Sequence, residues 1–201
     1  AAALIDLGWL GDPRLDAAID WLARSITGEG IAPASEAKSA PRFYRSGNSG
    51  PGFLCSANNH QGCAWGAVKA MLALSKIPAD RRTPAVQKAI AAGVDFLLSR
   101  DPAAADYPSW TGKPSASWFH FGYPVFYVTD LLQNLEVLTA LGYGKDARLR
   151  NAVNLVLSKH DKQGRWLMTY TYNGKTWADI ETPRQPSKWV TLRALRVLRQ
   201  T

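Results

Sequence analysis

Leu7-Gly8-Trp9-Leu10-Gly11-Asp12-Pro13-Arg14-Leu15-Asp16-Ala17-Ala18-Ile19 is answered later in the chain by Leu141-Gly142-Tyr143-Gly144-Lys145-Asp146-Ala147-Arg148-Leu149-Arg150-Asn151-Ala152-Val153. In both copies an apolar segment ends, a short turn follows, and an aspartate precedes a second segment with apolar residues at helical spacing. A looser copy runs Arg82-Thr83-Pro84-Ala85-Val86-Gln87-Lys88-Ala89-Ile90, with Thr83 in the aspartate's place. Asp and Thr start helices because their side-chain oxygens accept from the unsatisfied N–H groups of the first turn. Pro13 and Pro84 stand where a helix can spare a donor. A unit repeated in this way points to helix pairs stacked along the chain.

The same periodicity places helices over 13–26, 63–77, 84–99, 124–141, 147–160 and 187–200, with a stub before Trp9. Trp65, Val68, Met71, Leu72 and Ile77 form the apolar face of the second, and Val125, Val128, Leu131, Leu132, Leu135 and Leu138 that of the fourth. The fold class is therefore all-α. Segments 27–62 and 101–122, rich in Gly, Pro, Ser and Asn, read as long loops, and Phe43, Tyr44, Phe53, Tyr107, Trp110, Trp118 and Phe119 suggest that they pack down. Segment 166–182 alternates and carries the turn signal Asn173-Gly174, which allows one short hairpin.

Composition narrows the class. The 201 residues suit a single helical-repeat domain spanning 1–201, and 46% hydrophobic with 20% charged residues is ordinary for a globular chain. No apolar run approaches the roughly 20 residues of a bilayer span, so the reading is a soluble protein without a transmembrane segment, the cytoplasm favoured. The start at Ala1, apparently inside a helix, fits the carboxy-terminal part of a longer chain. The net charge of +8 raises the question of nucleic acid, but the basic residues are spread over helix faces and no nucleic-acid motif accompanies them. The row Arg193, Arg196, Arg199 reads as a solvated face or as a contact for an acidic partner.

His160-Asp161-Lys162-Gln163-Gly164-Arg165-Trp166 resembles the Gln-x-x-x-Gly-x-Trp repeat of the squalene cyclase and protein prenyltransferase superfamily, with His160 in place of Gln. Such a repeat closes a helix with Gly and folds the aromatic back over its end. Cys63-Ala64-Trp65-Gly66-Ala67-Val68-Lys69-Ala70, Phe121-Gly122-Tyr123-Pro124 and Pro186-Ser187-Lys188-Trp189-Val190-Thr191-Leu192 resemble bacterial prenyltransferase-like members of that superfamily. The resemblance implies an α/α toroid, here a partial or open ring completed by missing sequence or a second copy. It also implies a central apolar cavity for a large hydrophobic, isoprenoid-like ligand. The Asp-x-Asp-Asp acid of squalene and hopene cyclases is absent, and so is a local match to the prenyltransferase zinc set. The competing function is a non-catalytic helical-repeat domain presenting its loops and last helix to a protein partner or to another copy.

Several groups of residues are candidates for chemistry. Asp130, four residues after Phe126 on an apolar helix, is either a cavity acid or half of a buried pair with Arg or Lys. His120, among Trp118, Phe119, Phe121 and Tyr123, is either a general acid or base or a hydrogen-bonded core histidine. Trp65, Trp118, Phe121, Tyr123 and Tyr127 are the candidates for lining an apolar ligand site. Cys55, His60 and Cys63 could supply three ligands to zinc, the two cysteines could form a disulfide, or both could be free thiols. Asp179 and Glu181 beside Trp177 could act as an acid and base pair, or as alternate residues of a solvated strand. Exposed Trp177 or Trp110 beside carboxylates would suit a carbohydrate site.

Overall fold

A computed structural model describes residues 1–29 and 49–201. The described residues form seven α-helices: α1 Ala2–Asp6, α2 Pro13–Thr27, α3 Ala64–Ser75, α4 Pro84–Leu97, α5 Leu131–Ala140, α6 Arg150–Leu157 and α7 Lys188–Leu198. A small antiparallel ribbon of two-residue strands, β1 Ser49–Gly50, β2 Leu54–Cys55 and β3 Gln61–Gly62, accompanies them. The chain divides into two compact units, one of residues 1–99 and 107–113, the other of residues 100–106 and 114–201.

In the first unit the expected caps set the helices. Asp12 accepts from the Arg14 N–H at 2.9 Å and Thr83 from the Val86 N–H at 3.3 Å. Leu15, Ile19, Ala23 and Ile26 of α2 are buried at four- and three-residue spacing, and this face packs on α4. The helix stops at Gly28, whose φ of 75° suits a residue without Cβ. α3 crosses α4 closely because Gly93 faces Met71, and a Cβ there would fall onto the Met71 sulfur. Met71 is fully buried, a contribution of about 2 kcal/mol. Gly93→Ala would force the two helices apart.

The ribbon lies in a segment expected to be loop, and it pairs Leu54 with Gly62 and Cys55 with Gln61. Its turn works because Asn59 and His60 both take left-handed φ, 52° and 56°. Buried Asn58 holds the turn from inside, donating to the Gly62 and Pro108 carbonyls at 3.1 and 3.0 Å and accepting from the Trp110 N–H at 3.0 Å. Phe53 and Tyr107 pack down as expected, whereas Trp110 is exposed. Phe43 and Tyr44 lie outside the described residues.

The second unit repeats the cap of the first. Asp12 receives the N–H, Nε and Nη2 of Arg14 at 2.9, 3.0 and 2.8 Å, and Asp146 receives those of Arg148 at 2.9, 3.0 and 2.6 Å. The sequence repeat is thus a repeat of geometry. Trp166 folds back as the Gly-x-Trp spacing suggests: its ring is buried, and its indole N–H donates at 2.7 Å to the carbonyl of Val156 in the last turn of α6.

Two expected helix starts shift, and one expected hairpin is replaced by other pairings. The helix over 124–141 begins only at Leu131, because Asp130 adopts an extended backbone and caps the chain there. The helix over 147–160 opens with a 3-10 turn at Ala147–Leu149 before α6. Segment 166–182 forms no hairpin: Leu167 bridges Pro186 and Tyr170 bridges Gly122, so its partners lie elsewhere in the same unit.

Candidate functional site

The described residues with the most concentrated chemistry lie where α5 begins in the second unit. Asp130 accepts from the Gln133 N–H at 2.7 Å and so starts the helix. Arg193, from the middle of α7, reaches the same carboxylate with Nη2 to Oδ1 at 3.0 Å and Nη1 to Oδ2 at 3.1 Å. The Gly122 N–H approaches Oδ2 at 3.4 Å, so each carboxylate oxygen of Asp130 has two donors. The guanidinium also donates to Glu136, with Nη2 to Oε2 at 2.8 Å, and to the Gly122 carbonyl at 2.7 Å.

The side chains of Arg193 and Asp130 are 7% and 6% exposed. Burial works against the Arg193 charge, but Asp130 and Glu136 outweigh it and hold the guanidinium above its ordinary value. One cation and two carboxylates satisfy one another here, and the arrangement ties α5 to α7. Of the two sequence readings of Asp130, the geometry matches the buried pair. Arg193 was expected on an exposed basic row; it is buried, while Arg196 and Arg199 remain exposed. Charge and three-residue spacing do not separate the row, but only Arg193 lands on the face of α7 that carries Val190, Ala194 and Val197.

Beside this cluster lies a small cleft with room for about one water, lined by Pro124, Val125, Val128, Tyr170, Tyr172 and His120, with buried Gly122 and Asp130 at its floor. The structure therefore brings His120 and Asp130 to one place. The His120 side chain is exposed and has no hydrogen-bond partner among the described residues, so it is not the hydrogen-bonded core histidine considered from sequence. Tyr172 accepts at its hydroxyl from the Val128 N–H at 2.9 Å, and the Tyr170 ring stands edge-on to it with centroids 5.3 Å apart. Burial, then the neighbouring Tyr172, pushes the Tyr170 phenol above its ordinary value. Gly122 is required at the floor because a Cβ would meet the Tyr170 carbonyl oxygen.

Of the five aromatics expected to line a ligand site, the four in the second unit do not converge. Trp65 belongs to the other unit. Trp118 is buried and donates to the Pro102 carbonyl at 3.0 Å. Phe121 is buried, with Lys159 Nζ 5.5 Å from its ring centre. Tyr123 stacks on Trp189 at 4.8 Å, and Tyr127 is 75% exposed. Tyr170 and Tyr172, the aromatics of the cleft, were read as part of a hairpin, and their alternate spacing was the one signal that they share a side.

Among the described residues no group of three or more His, Cys, Asp or Glu side chains is placed to hold a metal ion, so Cys55, His60 and Cys63 do not form a ligand set. His60 sits exposed at the turn while Cys63 caps α3, accepting from the Gly66 N–H at 3.4 Å. Both cysteines are free thiols. Burial pushes the Cys63 thiol up, which opposes the thiolate that zinc requires. Asp179 accepts from the Gly174 N–H at 2.9 Å and Glu181 from the Lys188 N–H at 3.2 Å. Both carboxylates thus order their own loop, which presents Trp177 fully exposed.

No model of a known protein family matches the chain, and no curated protein or solved structure is found to be similar to it. No described helix is long and apolar enough to cross a membrane.

Proposed function

We propose that the chain is a helical-repeat domain of the α/α-toroid type, related to prenyltransferase-like and squalene cyclase-like proteins, and that it holds an apolar, isoprenoid-like ligand. The observation that carries the reading is the cleft over α5. Its walls are Pro124, Val125, Val128 and two tyrosines, and the same connection leaves Phe126 52% exposed, with its ring 5.1 Å from that of Tyr172. Its apolar walls and few polar groups have the make-up, though not the room, of a small-molecule site, so the ligand would extend from it over the exposed Phe126. The duplicated Asp-Arg caps and the Trp166 clasp support the repeat architecture. Because every acceptor position of Asp130 is taken, the proposed role is binding rather than protonation of the ligand by this carboxyl.

A dansyl-labelled isoprenoid of farnesyl length tests this. Saturable fluorescence binding is expected for the intact chain, and Val125→Arg, on a half-exposed wall, should weaken it at least about tenfold with the helical circular dichroism unchanged. Absence of saturable binding, or equal binding by the variant, would refute the proposal. A second reading, self-association through α7, is favoured by Leu195, 52% exposed beside Arg196. Under that reading Leu195→Glu would lower the sedimentation mass.

A further inference from the structure

We infer that the chain associates with further copies of itself through unlike faces, the outer face of α7 in one copy packing on the end of α1 in the next. The inference rests on the self-association reading through α7 and names the surface that α7 meets. It does not depend on the cleft.

The repeat shows that the end of α1 is a packing face. α1 and α5 close in the same way. At α1 the Gly8 N–H donates to the Ile5 carbonyl at 2.9 Å and the Trp9 N–H to the Leu4 carbonyl at 3.0 Å. At α5 the Gly142 N–H donates to Thr139 at 3.0 Å and the Tyr143 N–H to Leu138 at 2.9 Å. Both glycines take left-handed φ, 85° and 95°. A helix ended like this sets the residue after the glycine against the one five places back, Trp9 on Leu4 and Tyr143 on Leu138. Leu138 is fully buried, whereas Leu4 and Trp9 are exposed and Leu7 beside them is 72% exposed. What is core at one copy of the motif is an uncovered apolar patch at the other.

α7 carries a surface that fits this patch. Its inward stripe is Val190, Arg193, Ala194 and Val197. On the opposite side Lys188, Leu192, Leu195 and Arg199 recur at four- and three-residue spacing, and all four are exposed. Two leucines thus lie between two cations, with exposed Arg196 alongside. The α1 patch has the opposite charge. Asp16 accepts from the Gly11 N–H at 3.2 Å, which fixes its carboxylate beside the Trp9 turn, and Arg81 nearby donates to the Leu10 carbonyl rather than to Asp16. Asp16, Arg196 and Arg199 all lack an ion-pair partner among the described residues. Residues 1–29 hold five acidic residues and two arginines, while 187–201 hold four cations and no acid. Two α7 faces brought together would oppose like charges; α7 on the α1 patch opposes unlike ones.

Stacked helix pairs stay separate only when their outer faces are polar, and neither of these is. Because the two faces differ, a copy bound through one keeps the other free. The patches are small, so the association is weak and depends on concentration.

Sedimentation of the intact chain over a rising concentration series tests the inference. The mass should rise above that of one chain, and added salt should lower it. Leu195→Glu spoils the α7 strip and Leu7→Lys places a cation in the α1 patch. Both residues are exposed, so each variant should keep its helical circular dichroism. Each alone should stay single at concentrations about tenfold above those at which the unaltered chain associates. An equal mixture of the two should form pairs and nothing larger, since the α7 of one and the α1 of the other are intact. Pairing by Leu7→Lys alone overturns the inference in favour of an α7–α7 contact and leaves self-association standing. Association of Leu195→Glu alone, or a mixture that stays single, also overturns it. An unaltered chain that stays single at every concentration removes the self-association reading itself.

Discussion

Replacing Arg193 with Met should be the most damaging single change in the second unit. Its guanidinium donates to Asp130, Glu136 and the Gly122 carbonyl, all between 2.7 and 3.1 Å. Arg193→Met leaves two carboxylates facing each other with no cation and strands the Gly122 carbonyl. Breaking a buried pair from one side costs about 3–5 kcal/mol. With a urea dependence of about 2 kcal/mol per M, the midpoint of the transition reported by α5 and α7 should fall by about 1.5–2.5 M. Asp130→Asn should cost less, about 1–3 kcal/mol, because Arg193 keeps Glu136 and the pair that remains is neutral. The triple change Arg193→Met, Asp130→Asn, Glu136→Gln should recover much of the loss, since no buried charge is left over. Urea unfolding followed by hydrogen exchange, resolved to the α5 and α7 peptides, measures all three. The reasoning fails if Arg193→Met costs under about 1 kcal/mol, or if Asp130→Asn costs more than Arg193→Met.

Further outcomes follow from single contacts. The Asp146 carboxyl, held by the Arg148 side chain and N–H, titrates at about 2 against an ordinary 3.8; being depressed in the fold, its contribution is complete above the ordinary value and disappears as pH falls toward 2, which carboxyl NMR titration beside an acid-unfolding curve will check. Cys63, pushed up by burial, should be alkylated by iodoacetamide at pH 8 more slowly in the native chain than in urea, as read by peptide mass mapping; equal rates would contradict its burial. Gly122→Ala should destabilise the second unit by about 2–4 kcal/mol, because the added Cβ meets the Tyr170 carbonyl rather than a movable side chain, and a thermal melt should show it.

How much of this was legible in the chain depends on the range over which each cause acts. Caps act over three residues, so Asp12, Thr83 and Asp146 announced their helices and the structure places a cap at each. Trp166 was legible from the Gly-x-Trp spacing, and its indole N–H reaches back ten residues to Val156. The start of α5 was not. Val125 and Val128 keep helical spacing with Leu131 and Leu132, yet the first two line a cleft and the others fill the core, because apolar spacing does not distinguish a helix from an extended connection whose residues happen to face inward. The capping preference of Asp130 was the stronger local signal, and treating it as a residue within a helix concealed it. The ribbon was missed because two-residue strands carry no periodicity. Its support comes from Asn58 contacting Pro108 and Trp110, some fifty residues on.

The site shows the same division more sharply. Gly122 and Asp130 share one connection, but Arg193 comes from a stretch more than sixty residues on, and only the fold makes it their neighbour. Sequence nevertheless limits the partners: a carboxylate that both caps an apolar helix and is buried needs a cation from elsewhere, and helical phase selects one from the last basic row. Residues 190, 193, 194 and 197 recur at three- and four-residue spacing around α7, and three of them are Val, Ala and Val. The arginine in that stripe is the one that must be buried, whereas Arg196 and Arg199 fall off it. That phase argument needs no coordinates, and it marks Arg193 as the buried member of the row; the structure makes Asp130 its partner. It also explains why an acid capable of chemistry by residue type is held instead as a tie between two helices, leaving the cleft above it to the tyrosine pair and His120.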